Sequence, residues 1–171
     1  MTLTGISIAA PAVIVGVMGG GRATPADEDL AYRLGALIAR QGWVLLNGGR
    51  NAGIMAASAR GAWEQGGLTV GILPDDHRGG CSPHIRIPIV TGMGHGRNAI
   101  NVLSSDVVVA CPGGAGTLSE IALALKAGRP LVLLGWPANP LEGTEAGRRL
   151  HRAETPEGAV VRIRELLPAS A

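Results

Sequence analysis

The segment Pro112-Gly113-Gly114-Ala115-Gly116-Thr117-Leu118-Ser119-Glu120 combines what phosphate binding asks of a chain. Pro112 ends an apolar run, Gly113 and Gly114 let backbone approach a ligand, and Thr117 reads as the start of a helix. Backbone N–H groups at such a start attract anions, and Gly116 and the Thr117 hydroxyl stand in the same turn. Glu120 follows one turn later, where a carboxylate can stabilise developing positive charge or take a proton. Thr117-x-x-Glu120 also has the spacing of a capping box, so both residues have a purely structural use as well. Two more glycine clusters follow apolar runs: Gly19, Gly20 and Gly21 after residues 12–18, and Gly48 and Gly49 after residues 43–46. Arg50 and Arg97, the latter beside Asn98, are the best cationic clamps, because a guanidinium offers planar, bidentate donors to phosphate oxygens.

Other chemistries are disfavoured. No cluster reads G-x-G-x-x-G, so the dinucleotide fingerprint is missing. The lone lysine, Lys126, precedes Ala127, which excludes a Walker A loop. Asp75-Asp76-His77-x-x-x-Cys81-x-x-His84 contains metal-capable side chains at no zinc-like spacing, so no metal site is expected and the segment reads as a polar loop. A net charge of +2 on 171 residues is small for a nucleic-acid track, and three Trp, one Tyr and no Phe leave little to stack bases. Two cysteines make no disulfide framework and suit a reducing cytoplasm; Cys111, last in an apolar run, reads as a small core residue. The uncharged stretch 1–21 lacks a basic leader and is broken by Pro11 and glycines, so neither a signal peptide nor a membrane span is expected.

The elements that must position these groups follow from the apolar pattern. Short β-branched runs alternate with longer Ala/Leu segments, the signature of a parallel sheet with crossover helices. Strands are expected over 12–18, 43–46, 68–73, 85–90, 106–111 and 131–134, the fourth an edge or bent strand because it contains Pro88. Helices are expected over 24–41, capped by Thr24 with Pro25 in its first turn and stopped by Gly42, over 54–64, within 92–105, over 117–127 and over 155–167. Residues 136–147 read as loop, and Arg148, Arg149, His151 and Arg152 as a solvated surface salt-bridged to Glu142, Glu145 and Glu154. The whole reads as one domain, 1–171. The expected fold class is α/β, a three-layer αβα sandwich with a Rossmann-like parallel sheet and helices on both faces, and residues 1–11 are expected to form a flexible tail. In such a sheet ligands sit beyond the carboxyl ends of the strands, which places the three glycine clusters on one rim.

At this point a family resemblance emerges. Pro112-Gly113-Gly114-x-Gly116-Thr117-x-x-Glu120 matches in full the P-G-G-x-G-T-x-x-E motif of the LOG-like proteins, the "Lonely Guy" cytokinin-activating phosphoribohydrolases, and of their relatives the molybdenum cofactor carrier proteins. Asn47-Gly48-Gly49-Arg50-Asn51-Ala52-Gly53-Ile54-Met55 resembles the family's second landmark, usually G-G-G-x-x-G-L-M-G. The phosphoribohydrolases carry an Arg-Lys pair on the helix before the motif, where this chain has Arg97-Asn98. Thr91-Gly92-Met93-Gly94, Arg97-Asn98-x-x-Asn101 and residues 119–126 look more like the carrier branch. The resemblance therefore implies a carrier for a phosphorylated pterin or nucleotide, with no required cofactor and with molybdenum cofactor or a nucleotide as the bound ligand. The alternative it implies is hydrolysis of a nucleoside 5′-monophosphate to free base and ribose 5-phosphate, in which Glu120 and Arg97 would be catalytic. A sensor that binds nucleotides without carrying or cleaving them is a third reading.

One element bears on assembly. The expected helix around 118–125 is apolar nearly all the way round, so it needs cover on two sides. A symmetric partner would supply the second, and the resemblance implies a homodimer or homotetramer, with neither nucleic acid nor membrane as partner.

Overall fold

A computed structural model of the chain describes residues 11–168, the side chain of Arg149 excepted. The expected tail lies outside these residues apart from Pro11. Among the described residues, seven strands form one parallel sheet: β1 (Ile14–Met18), β2 (Val44–Asn47), β3 (Thr69–Leu73), β4 (Ile87–Val90), β5 (Val107–Ala110), β6 (Leu131–Leu134) and β7 (His151–Ala153). Their order across the sheet is β4-β3-β2-β1-β5-β6-β7. The chain thus builds outward from β1 to β4, then returns to the other side of β1 with β5. This reversal makes the gap beyond β1 and β5 a topological switch point, where open parallel sheets bind ligands. The two strands run in register from Val15↔Val107 to Met18↔Ala110, so their carboxyl ends finish level.

Among the described residues, five α-helices cover the two faces. On one lie α1 (Pro25–Arg40), α2 (Gly53–Glu64) and α5 (Pro156–Leu166), whose Leu34, Ile38, Ile54 and Ile163 pack on Val15, Val17, Val107 and Val109. On the other, α3 (Arg97–Leu103) and α4 (Ala115–Lys126) seal Val102, Ile121 and Ala124 against Met18, Val108, Ala110 and Leu133. The central strands β2, β5 and β6 are buried at every residue, which is why they read as unbroken apolar runs rather than alternating ones. Truncating a side chain such as Leu34, fully enclosed, would cost about 2–5 kcal/mol.

The caps of α1 are as the sequence predicts. Thr24 accepts from the Asp27 backbone N–H at 3.2 Å while Asp27 accepts from that of Thr24 at 3.3 Å, and Gly42 follows in the left-handed region at φ 74°. Pro88 lies in β4, an edge strand, where its missing N–H breaks no internal ladder.

Two expectations need correction. Helix α4 begins at Ala115, not Thr117: Gly114 is its N-cap, no side chain caps it, and Thr117 is its third residue. The Thr117–Glu120 capping box therefore does not form. Residues 151–153, expected as solvated surface, add the edge strand β7 with only Ala153 buried; Arg152 does pair with Glu154 at 3.6 Å.

Candidate phosphate-binding site at the switch point

Beyond the ends of β1 and β5 opens a cavity of about 280 Å³. Gly19, Gly20 and Gly21 form one wall and Gly114, Gly116 and Thr117, from the first turn of α4, form another. Gly48, His95, Arg97, Asn98 and Glu120 close it, with Val17, Met18 and Met55 as its apolar floor. The turn geometry follows from backbone packing. The Gly20 N–H donates to the Pro112 carbonyl at 3.1 Å and the Ile54 N–H donates to the Gly20 carbonyl at 3.0 Å, which ties three connections together. A Cβ on Gly113 would run into the Thr117 hydroxyl and come within 2.7 Å of the Gly20 nitrogen, so only glycine lets the two turns meet.

Helix α4 delivers the electropositive wall. Helices α1 and α5 have their first-turn N–H groups answered by Thr24 and Thr155. Helix α4, twelve residues long, has no such cap, and its open end faces the cavity. Unanswered N–H groups and the positive end of the helix dipole together make an anion site.

Arg97 supplies the full charge. Its guanidinium lies over Gly48, where a Cβ would stand 2.6 Å from Nη2 and 2.7 Å from Cζ. Its side chain is only 12% exposed and approaches Glu120 Oε1 at 3.9 Å. Glu120, with a side chain 8% exposed, accepts from Asn101 Nδ2 at 2.9 Å. Burial pushes the Glu120 carboxyl above its ordinary value, against the lowering pull of the Asn101 hydrogen bond and the Arg97 charge. Burial likewise lowers Arg97; Glu120 opposes that shift, the Arg50 charge adds to it and Asp75 opposes it. Among the described residues, the buried side-chain polar atoms without a partner are Arg97 Nε and Asn101 Oδ1. Both belong to this one cluster, and a binding site is where such atoms are expected to wait for a ligand or water.

Not every expected residue lines this cavity. Gly113 lines a different cavity, beside Arg22 and Asp27, and Gly49 spends its N–H on Asn47 Oδ1 at 2.8 Å. Asn47, which replaces the first glycine of the landmark, is fully buried and also donates to the Met55 carbonyl at 2.9 Å. It staples the loop rather than meeting solvent. Arg50 pairs with Asp75 at 2.9 Å and lines a neighbouring cavity. Asn98 lines the main one but donates to Ser119 Oγ at 3.0 Å. Asn101, known from the sequence only as part of the carrier-like Arg97-Asn98-x-x-Asn101, stands one helical turn after Arg97, shares its face and reaches Glu120. His95 and Met55 are further lining residues.

A larger cavity, about 440 Å³, lies at the amino ends of β6 and β7 between Arg129, Arg148 and His151. It lacks a helix N-terminus, and Arg129 is occupied by the Leu103 carbonyl at 2.7 Å. Chemistry, not volume, selects the smaller one.

A doubly wound parallel sheet whose switch point carries an uncapped helix N-terminus and a buried guanidinium defines a Rossmann-like α/β protein with a candidate anion site. Within that class, the chain belongs to the SLOG cluster4 family, whose model matches residues 12–160. It is 47% identical to the molybdenum cofactor binding protein of the phototrophic bacterium Rippkaea orientalis, with a TM-score of 0.88 over 92% of this chain and 99% of that one. The molybdenum cofactor carrier protein of Chlamydomonas reinhardtii is 42% identical, with a TM-score of 0.84 over 91% and 98% of the two chains. A cytokinin riboside 5′-monophosphate phosphoribohydrolase of Mycobacterium tuberculosis is 38% identical over 95 residues, 54% of this chain and 51% of the enzyme. The match thus spans about half the length of that enzyme.

Proposed function

We propose that this chain binds and carries a phosphorylated pterin or nucleotide, the molybdenum cofactor being the ligand its relatives suggest. One observation carries the reading: the open N-terminus of α4 and the Arg97 guanidinium converge on a single cavity at the switch point. The phosphoryl group sits between the first-turn N–H groups, the Thr117 hydroxyl and Arg97, and the ring lies over the Met18 and Met55 floor. Gly19–Gly21 and Gly48 keep backbone and guanidinium close to it. Glu120, held by Asn101, meets polar groups of the ligand from within. A carrier has to hold and release; nothing in this arrangement has to break a bond.

Hydrolysis of a nucleoside 5′-monophosphate is the second reading, favoured by the Glu120–Arg97 contact at 3.9 Å. There Glu120 stabilises an oxocarbenium-like transition state and Arg97 orients it. Asn98 counts against it, because it brings no charge and is engaged with Ser119. The test is to incubate the protein with AMP, isopentenyl-AMP and molybdenum cofactor, and to measure released base and retained cofactor. Retention of cofactor without free base is expected; base release at enzymic rates that vanishes in Glu120→Ala would overturn the carrier assignment.

The proposal extends to assembly and setting. On α4, Leu118 is 41% exposed, Ala122 is exposed and Leu125 half-buried, an apolar stripe that a second copy would cover. We assign a homodimer or homotetramer on that ground. No helix among the described residues is long and apolar enough to cross a membrane. Cys81 and Cys111 are both free, which fits a reducing cytoplasm.

A further inference from the structure

Next to the main cavity lies a second one of about 180 Å³, formed by Arg50, Pro74, Asp75, Gly94, His95 and Arg97. The two cavities share His95 and Arg97, so one guanidinium borders both. The second cavity has a charge arrangement of its own. Arg50 Nη2 donates to both carboxylate oxygens of Asp75, at 3.1 and 2.9 Å. Arg97 stands near enough for the Arg50 charge to act on it, with Asp75 acting in the opposite sense. Two guanidiniums and an imidazole thus surround a space in which one carboxylate is the counter-charge.

We propose that this space is a second anion subsite, which takes a second phosphoryl group of a ligand whose first phosphoryl group lies on the other side of Arg97. The inference rests on the phosphate-binding reading of the main cavity and adds a ligand class to it: ligands with two phosphoryl groups over ligands with one. Asp75 acts as an internal stand-in for the missing anion. It holds Arg50 in place through Nη2 alone when the subsite is free, and competes with an arriving phosphoryl group for that nitrogen. The Arg50–Asp75 pair is part-exposed, with side chains 44% and 30% accessible, so breaking it costs little. His95, which faces both cavities, offers a ring nitrogen to the bridging region.

Binding of AMP, ADP and inorganic pyrophosphate by titration calorimetry at fixed ionic strength tests this, with Arg50→Ala and Asp75→Asn beside the unaltered chain. ADP is expected to bind about tenfold more tightly than AMP, the contribution of one charge-assisted contact. Arg50→Ala removes that advantage, weakening ADP far more than AMP. Asp75→Asn, which deletes the competitor while keeping the side chain's shape, tightens ADP and pyrophosphate more than AMP. Equal affinities for AMP and ADP, or an ADP advantage that survives Arg50→Ala, would overturn the subsite. Pyrophosphate separates this inference from the one beneath it. Binding of pyrophosphate that weakens in both Arg50→Ala and Arg97→Ala supports the subsite even where AMP does not bind, an outcome that would sink the ring-binding reading alone.

Discussion

Gly48→Ala is the substitution in which the structure speaks most sharply about Arg97. The added methyl would stand 2.6 Å from Nη2 and 2.7 Å from Cζ, so the guanidinium must leave its place over the Gly48 backbone. Gly48 is not among the glycines with positive φ, so its backbone accepts alanine. The obstructing atoms are the far end of a flexible side chain, which swings away at small cost to stability. Binding pays instead: losing charge-assisted hydrogen bonds from a guanidinium to phosphate is worth about 1.5–3 kcal/mol, or about 10- to 150-fold in Kd. The assay is titration calorimetry with AMP on the unaltered chain, Gly48→Ala, Arg97→Ala and the double variant. If Gly48 serves only to seat Arg97, the two losses do not add, and the double variant binds no worse than Arg97→Ala alone. Additive losses, or a Gly48→Ala protein that binds as the parent does, would refute the reasoning.

Four further outcomes follow from other parts of the molecule. Glu120 has its folded-state pKa raised by burial, so its contribution to stability is present below the ordinary carboxylate value and is lost as pH rises through the folded value. Glu120→Gln mimics the protonated form, so its melting-temperature gain over the parent should be near zero at pH 4 and grow towards pH 7; a gain that grows as pH falls would contradict this. Thr24→Ala removes the α1 capping box and should cost about 1 kcal/mol, about 2–4 °C in Tm, with AMP affinity unchanged. Cys111 is fully buried, which pushes its thiol up to about 12, so it should stay unalkylated in the native protein by mass spectrometry until the chain is unfolded. Light scattering should return a multiple of 17.4 kDa that Leu118→Asp reduces to the monomer; a monomeric parent would remove the α4 interface.

Much of the scaffold was legible because its signals were local. Buried parallel strands show as uninterrupted β-branched runs, and Thr24-Pro25 and Thr155-Pro156 mark helix starts by their own chemistry. The errors arose where tertiary contact decided. Thr117-x-x-Glu120 has the spacing of a cap, yet the chain turns helical at Ala115 because Pro112 and Gly113 are pinned against Gly20. That displacement moves Thr117 and Glu120 from a capping role into the cavity. Strand β7 went unseen because an edge strand of His151, Arg152 and Ala153 buries one small residue and shows no apolar run.

The site was legible in its parts but not in its division. Glycine clusters and arginines pointed to one rim, and β1, β2, β5, α3 and α4 do bring Gly19–Gly21, Gly48, Arg97, Gly114 and Gly116 to one cavity. That Arg50 belongs next door is set by Asp75, 25 residues further on, a pairing no spacing rule reveals. Asn101 was within reach, since four residues after Arg97 on one helix means the same face. Its partnership with Glu120 depends on how α3 packs on α4, which only coordinates supply.

A crystal structure with AMP or molybdenum cofactor bound tests the central claim most directly. The account predicts phosphoryl oxygens at about 3 Å from the first-turn N–H groups of α4 and from the Arg97 guanidinium. A phosphoryl group seated instead between Arg129 and Arg148, at the amino ends of β6 and β7, would contradict it.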